Sequence, residues 1–326
     1  MKKVLIAILL LGLLPHASAD YIHWVDFRLS APVLRSALEL DMASQGGEQP
    51  LDWIDILALA AAWRGGTGVT VADTQRAAQA LRGDTPPERL PGMAGRCFSY
   101  YRAAYGAALG GLVGHFAIRR TDPQTGEAEW IPAYGLKAFS PIAAGYPWSH
   151  YPDFGAQRSY GYARPHLGND ILGALGTPIC AVEGGTVEAL GWNRYGGWRI
   201  GIRSDDRKRY YYYAHLRKDT PYAEGLAVGQ RVQAGEVIGF MGRTGYSAQE
   251  NVNNIETVHL HFGLQLIFDE SQKECDSEIW IDVYPIIELL ASHCSSVARD
   301  PQTGRWERLY PYCDLDAEPL RSAAAR

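Results

Sequence analysis

The 326-residue chain lacks several features that mark common classes of protein. Its five cysteines form no CxxC pair and no zinc-knuckle spacing, and their odd number leaves at least one thiol without a partner. No histidine begins an HExxH motif. Acidic residues outnumber basic ones, 36 to 31, and the formal net charge is −5. This charge argues against a nucleic-acid partner.

The N-terminal apolar run is too short to span a bilayer. Val4–Leu14 is eleven residues long, whereas a membrane-spanning helix needs roughly 20. Lys2 and Lys3 precede this run and Ala17-Ser18-Ala19 follows it, which is the order of a secretory signal peptide. We therefore predict that residues 1–19 are removed after Ala19 and that the mature chain is exported to the extracellular, cell-wall or periplasmic side of the cytoplasmic membrane.

Residues 20–132 have the pattern of a helical region that ends in a hairpin. A helix is predicted from the N-cap Ser30, and three more are predicted from "PLDWIDILALAAAW", "DTQRAAQALRG" and "FSYYRAAYGAALGG". The turn "DPQTG" at 122–126 separates two strands and returns at 300–304 as a reused turn. One hypothesis for this region is that it packs near the functional cleft and limits access.

Residues 133–290 change to short strands separated by glycine turns. Segments such as "GTPICAVEGGTVEAL", "RKRYYYYAHL" and "VHLHFGLQLIF" predict a mostly antiparallel β domain, closed by the helix "YPIIELLASH". Residues 291–326 are predicted to form a polar C-terminal tail. The fold class is therefore α+β.

Histidines are concentrated in the β region. His166 and Asp170 form an HxxxD motif, His215 lies in "YYAHL", and His259 and His261 form an HxH motif in which both side chains share one face of a strand. A catalytic zinc needs three protein ligands and one open position, which His166, Asp170 and one histidine of the HxH pair would supply. Gly168 lets the backbone turn between the first two ligands, and Gly263 leaves room beside the HxH strand.

The motifs "RPHLGNDI", "YYAHL", "VQAGEVIGFMGRTG" and "HLHFGL", in this order, resemble those of the LytM and lysostaphin-type zinc metallopeptidases, peptidase family M23. The resemblance covers about residues 135–285. It implies zinc as cofactor, a peptidoglycan peptide as substrate, and hydrolysis of peptide bonds in cross-links or stem peptides. It also implies that the metal ligands are His166, Asp170 and His261, and that His215 and His259 act in catalysis.

The implied division of labour agrees with the chemistry of the residues. Zinc acidifies a water molecule and polarises a carbonyl group, and imidazoles outside the metal can move the proton or stabilise the oxyanion. Whether His215 or His259 acts as the base, and which of them stabilises the oxyanion, stays open. The chain departs from the family pattern in "AQENVNNIETV" (248–258), which predicts an enlarged loop beside the metal.

Aromatic residues predict a substrate cleft, with Tyr213, Trp192, Tyr195 and Trp198 as candidates for its lining. Two other functions compete with the peptidase. A non-catalytic relative that binds peptidoglycan or activates another hydrolase is disfavoured because all five site residues are present. A biotinyl or lipoyl carrier is disfavoured because the relevant turn, Phe240-Met241-Gly242-Arg243, has no lysine to modify. The oligomeric state is not predicted.

Overall fold

A computed structural model describes residues 22–160, 162–273 and 277–317; the predicted signal peptide therefore lies outside the described residues. Five α-helices are present in this part of the chain: α1 (Ala31–Ser44), α2 (Trp53–Arg64), α3 (Val71–Leu81), α4 (Met93–Leu109) and α5 (Tyr284–Leu290). Each predicted helix is observed, and α2 ends at Gly65 in the left-handed conformation that favours glycine. None of the described helices is both long and apolar enough to cross a membrane.

Seventeen strands follow the first four helices. They are β1 (Val113–Thr121), β2 (Ala128–Leu136), β3 (Trp148–His150), β4 (Gln157–Tyr160), β5 (Tyr162–Pro165), β6 (Asn169–Gly173), β7 (Pro178–Cys180), β8 (Gly185–Asn193), β9 (Gly197–Ser204), β10 (Arg209–Ala214), β11 (Arg231–Val232), β12 (Val237–Phe240), β13 (His259–Leu266), β14 (Ile279–Trp280), β15 (Val297–Arg299), β16 (Trp306–Arg308) and β17 (Tyr312–Asp314). All strand pairings among them are antiparallel, which confirms the predicted α+β class.

The largest sheet has the strand order β11-β8-β9-β10-β13-β6-β3, and β14 also pairs with β13. Strand β13 therefore lies between β10 and β6. Its register places His261 opposite Asp170 on one side and opposite Ala214 on the other. His215 directly follows Ala214, so this arrangement brings three separate motifs to one end of the sheet.

The C-terminal residues return to the first hairpin. Strand β17 pairs with β1, which also pairs with β2, and the three strands form a separate sheet. The buried Lys137 ammonium group adds ion pairs of 3.0 Å to Asp314 and 3.1 Å to Asp316. The C-terminal segment that was predicted to be a polar tail thus contributes a strand to the hairpin of the N-terminal region. The boundaries at residues 132 and 290 stay predictions.

The two DPQTG segments adopt the same turn. In each, the aspartate backbone N–H donates to the residue after the glycine, and the glycine N–H donates back to the aspartate carbonyl. The aspartate side chain accepts a further bond from the glutamine N–H at 2.7 Å in both turns. Gly126 and Gly304 have φ of 72° and 75°, a left-handed conformation that glycine adopts readily. The reuse of one turn chemistry is confirmed.

Helices and sheet share one apolar core, which includes Leu57 and Leu109 from the helices and Ile202 and Leu264 from the sheet. A buried polar contact also joins the helices to the sheet. Arg209 pairs with Glu183 at 2.7 Å and donates to the Ala107 carbonyl at the end of α4 at 2.7 Å. Arg209 begins β10, whereas His215 follows its other end, so this contact lies at the end of the strand remote from the histidines. The contact joins α4 to the sheet, and the hypothesis that the helical region limits access to the cleft stays a prediction.

The described cysteines, Cys97, Cys180, Cys294 and Cys313, are all free thiols. Burial raises the pKa of the Cys180 thiol to about 12, so this group stays protonated at neutral pH.

Candidate active site

Two histidines and one aspartate bring their donor atoms to a common point. His166 Nε2 lies 2.8 Å from His261 Nδ1 and 2.9 Å from Asp170 Oδ1, and His261 Nδ1 lies 3.2 Å from the same carboxylate oxygen. Two imidazoles and a carboxylate are a donor set that suits zinc and leaves one position of a tetrahedral site open. The three residues predicted as ligands are therefore brought together, and their donor chemistry fits the metal.

Gly168 allows the close approach of the His261 ring. A Cβ atom at this position would lie 2.7 Å from His261 Cε1 and 2.7 Å from the Phe262 carbonyl oxygen. Both distances are too short for real contacts. The glycine is thus needed for space rather than for the turn that the sequence suggested. Gly263 likewise makes room, for the ring of Trp280, whose Cζ3 would be 2.8 Å from an added Cβ.

Gly168→Ala is expected to weaken zinc binding by at least about tenfold, because the new methyl group must displace a ligand ring. Gly184→Ala is the matched control, since the nearest atom to an added Cβ there lies at 3.5 Å. Zinc affinity would be measured by competition with a chromophoric chelator, with circular dichroism to check the fold. Unchanged affinity in a folded Gly168→Ala protein would show that the ring position does not limit metal binding.

His166 and Asp170 are held by charged groups that no sequence motif marks. The Nδ1 atom of His166 lies 3.2 Å from Asp153 Oδ2, and Arg158 Nη2 lies 2.9 Å from Asp153 Oδ2 and 3.0 Å from Asp170 Oδ2. A carboxylate behind a ligating imidazole fixes its tautomer and its orientation. Asp153 thus leaves Nε2 of His166 as the donor atom, and Arg158 holds the Asp170 oxygen that faces away from the cluster. No motif marks either residue, because both lie on the loop and hairpin before HxxxD.

The support extends further into the protein through Asn169. Its side-chain amide nitrogen donates to Asp153 Oδ1 at 2.9 Å, and its amide oxygen contacts His150 Nδ1 at 2.6 Å. His150 Nε2 in turn contacts Glu288 Oε1 at 2.8 Å. A chain of polar side chains, buried except for the part-exposed Glu288, thus connects α5 with the first ligand. The His150 side chain is itself buried, with 5% of its surface exposed.

Burial and charge set the protonation of the cluster. Burial raises the pKa of the Asp170 carboxyl, but the hydrogen bonds from His166 and His261 outweigh it, so the pKa lies well below its usual range. Burial lowers the pKa of the His261 imidazole. A charged carboxylate and a neutral imidazole are the forms that bind a metal.

His215 and His259 lie beside the cluster. Their ring centroids are 4.8 Å apart, and His259 Nε2 lies 3.8 Å from Asp170 Oδ1, beyond hydrogen-bond distance. Each Nδ1 bonds to a backbone carbonyl, that of Thr244 at 2.9 Å for His215 and that of Thr257 at 3.0 Å for His259. In the neutral form of each ring, these bonds favour the tautomer that carries its proton on Nδ1 and leaves Nε2 able to accept one. Burial, with the nearby His259, lowers the pKa of His215 well below its ordinary value.

A cleft of about 180 Å³ opens onto these groups. The described residues that line it are Arg158, Arg164, Pro165, His166, Leu167, Asp170, Tyr195, Gly196, Tyr212, Ala214, His215, Tyr246, His259 and His261. Three grooves elsewhere in the described part of the chain are larger, two of about 660 Å³ and one of about 450 Å³, but no histidine is among the described residues that line them. Chemistry, rather than size, identifies the smaller cleft as the candidate active site.

Of the four predicted cleft aromatics, Tyr195 alone is among the residues that line this cleft. The prediction for Tyr213 is wrong: the side chain is fully buried, its hydroxyl accepts a bond from the Val182 N–H at 2.9 Å, and Tyr212 lines the cleft instead. The reason is the register, because Ala214 pairs with His261 and the residue two positions earlier, Tyr212, shares its face.

Trp192 and Trp198 hold the enlarged loop. Trp192 Nε1 donates to the Ser247 carbonyl at 3.1 Å, and Trp198 Nε1 donates to Asn251 Oδ1 at 2.9 Å. The Asn251 side chain also donates to Asp219 at 2.7 Å. Trp198 thus binds the loop itself and Trp192 binds the residue just before it, and neither is among the described residues that line the cleft.

Three convergent donors flanked by two further imidazoles could hold a metal ion beside groups that can exchange protons. Residues 164–274, about a third of the chain, match the model of peptidase family M23. The match is narrower than the predicted 135–285 but contains all four motifs. The resemblance seen in the sequence is confirmed.

Known proteins of this family resemble the chain in part. The L-Ala–D-Glu endopeptidase of Bacillus subtilis (strain 168) is 35% identical over 177 residues, which are 51% of this chain and 52% of the relative. The glycyl-glycine endopeptidase ALE-1 of Staphylococcus capitis is 38% identical over 98 residues, 30% of this chain and 24% of the relative. The chain thus spans about half, or less, of the length of these relatives. The solved catalytic domain of lysostaphin from Staphylococcus simulans is 28% identical, with a TM-score of 0.33 over 44% of this chain and 92% of that domain.

Proposed function

We propose that the protein is an exported, zinc-dependent endopeptidase that hydrolyses peptide bonds in bacterial peptidoglycan cross-links or stem peptides. The observation that carries the proposal is the convergence of His166, Asp170 and His261 within the M23 domain, with His215 and His259 at their side. Export rests on the signal-peptide pattern of residues 1–19.

His166, Asp170 and His261 would hold the zinc ion. When bound, zinc supplies Lewis acidity toward a water molecule and toward the carbonyl oxygen of the scissile peptide bond. Asp153 and Arg158 keep the ligands in position, since the first bonds to His166 and the second to Asp170. These contacts support a ligand geometry that the protein itself holds.

His215 and His259 would handle the proton and the developing negative charge. With Nδ1–H bonded to a carbonyl, each neutral ring can accept a proton at Nε2; once protonated, it can donate a hydrogen bond from the same atom. The two rings are adjacent, so one can take a proton while the other stabilises the oxyanion. A protein that only binds peptidoglycan would not need two adjacent imidazoles beside a metal site.

Digestion of purified sacculi tests the proposal directly. The zinc-loaded mature chain, from residue 20, is incubated with sacculi of several cross-link chemistries, and the new amino and carboxyl ends are identified by mass spectrometry. Chelator-treated protein is the control and should release nothing. If zinc-loaded protein binds sacculi but releases no new ends from any of them, the non-catalytic alternative replaces the endopeptidase.

A further inference from the structure

Asn193 fixes the direction of a hydrogen bond at the edge of the cleft. Its side-chain oxygen Oδ1 accepts from the backbone N–H groups of Tyr195 at 3.0 Å and of Gly196 at 2.5 Å. These two bonds identify the oxygen end of the amide, so the other end is the NH2 group. The amide nitrogen lies 3.1 Å from the Tyr212 hydroxyl oxygen. Asn193 is therefore the donor in this bond, and Tyr212 is the acceptor.

The proton of the Tyr212 hydroxyl group is left without an acceptor. A phenol hydroxyl can both accept and donate a hydrogen bond, and Asn193 uses only its accepting side. Within the described part of the chain, the Tyr212 side chain makes no other hydrogen bond. Burial raises the pKa of this hydroxyl group, so it keeps its proton at neutral pH. Tyr212 thus offers a donor that the fold itself does not use.

This donor lies at the cleft, close to the proposed catalytic groups. Tyr212 and Gly196 both line the cleft, and a Cβ atom added to Gly196 would collide with the Tyr212 hydroxyl oxygen. The Gly196 carbonyl accepts from the His215 backbone N–H at 2.7 Å. The ring centroids of Tyr212 and His261 are 5.9 Å apart. The turn that begins at Asn193 therefore positions the hydroxyl group beside the residues that would act on the scissile bond.

We propose that the Tyr212 hydroxyl group donates a hydrogen bond to a backbone carbonyl oxygen of the bound peptide. The proposal rests on the proposed function and adds a substrate-binding residue to it. Carbonyl groups of a peptide lose water when they enter a cleft, and each then needs a donor from the protein. Tyr212 supplies one. Because the bond contacts the backbone and not a side chain, it suits stem peptides and cross-link peptides alike.

Tyr212→Phe removes the hydroxyl group and keeps the ring. Loss of one hydrogen bond between neutral groups should raise KM about 3- to 10-fold, while kcat stays within about twofold and about one equivalent of zinc is retained. The probe is a soluble peptide that contains the bond cut in the digestion of sacculi. An unchanged KM, a kcat that falls more than KM rises, or loss of zinc would each overturn the proposal.

Asn193→Asp tests the direction of the bond. One oxygen of an aspartate can still accept from the Tyr195 and Gly196 N–H groups, but the other would accept the Tyr212 proton and withdraw it from the cleft. This variant should raise KM about as much as Tyr212→Phe, and the double variant should be no worse than either single one. Additive effects in the double variant would contradict the proposal, because Asn193 would then affect the cleft by another route.

Tyr222→Phe is the matched control. The Tyr222 hydroxyl group accepts from the Gly191 N–H at 2.7 Å and donates to the Arg199 carbonyl at 3.2 Å, so its proton already has an acceptor. Tyr222 is not among the described residues that line the cleft. KM should therefore stay unchanged. A rise in KM equal to that of Tyr212→Phe would overturn the proposal, since both hydroxyl groups would then only support the strands.

Failure of the proposed function gives a different result. If the zinc-loaded wild-type chain releases no new ends from sacculi, hydrolysis is wrong, and affinity for sacculi is then measured by co-sedimentation. Weaker binding by Tyr212→Phe and by Asn193→Asp, with unchanged binding by Tyr222→Phe, supports the hydrogen bond to a bound peptide. Equal binding by the wild type and Tyr212→Phe, or no binding by the wild type, overturns it.

Discussion

Asp170→Ala and His166→Ala are each expected to lose zinc and activity together. Two remaining donors cannot hold the ion well, so zinc affinity should fall by at least about two orders of magnitude and hydrolysis should become undetectable. Asp170 is the stronger test, because its carboxylate is the one anionic donor and it contacts both ligand histidines, at 2.9 and 3.2 Å. Zinc content after gel filtration and peptide hydrolysis are the two measurements.

His115→Ala is the control for these two variants. The His115 side chain is exposed and pairs with Asp316, remote in the fold from the sheet that carries the site. It should keep zinc, activity and the melting-temperature increase that zinc produces by binding the folded state. A full equivalent of tightly bound zinc in Asp170→Ala would remove this residue from the ligand set.

Loss of the His215 imidazole should lower turnover but leave zinc binding unchanged. The residue has φ of 60°, a left-handed conformation that asparagine tolerates better than alanine, so His215→Asn is the variant with the least added strain. Zinc should remain near one equivalent, while kcat falls at least about a hundredfold, the low end for a missing acid, base or oxyanion donor. Zinc analysis and steady-state kinetics are made on the same preparation.

The effect on kcat distinguishes chemistry from substrate binding. His215 lines the cleft, and its Nδ1 is fixed by the Thr244 carbonyl, so its replacement should change KM much less than kcat. Near wild-type kcat in His215→Asn would exclude the residue from the mechanism. Zinc loss equal to that of His166→Ala would instead give it a part in metal binding.

The short motifs made the ligand cluster predictable from sequence. In a strand, residues two apart share one face, so His259 and His261 had to enter one site together if the run was a strand, as β13 is. The helices were predictable for a similar reason, since apolar periodicity and terminal glycines are local features. The family resemblance then assigned His166, Asp170 and His215 to the same place, which the register of β6, β13 and β10 explains.

Residues without a local signal were missed or misplaced. Asp153 and Arg158 reach the ligands from a loop and a hairpin whose paths depend on tertiary packing. Tyr213 was misplaced because a central strand is covered on both faces, so a run of four tyrosines does not reveal which rings face the cleft. The pairing of β17 with β1 joins residues about 200 positions apart, for which the polar composition of the C-terminus gives no indication.

Zinc stoichiometry of His259→Ala and His261→Ala, measured in parallel by elemental analysis, tests the central claim most directly. His261 Nδ1 lies within 3.2 Å of both other donors, whereas His259 Nε2 is 3.8 Å from the nearest carboxylate oxygen of Asp170. We expect His261→Ala to lose zinc and activity, and His259→Ala to keep about one equivalent of zinc while turnover collapses. Equal loss of zinc from both variants would contradict the account, because the HxH pair would then bind the metal together.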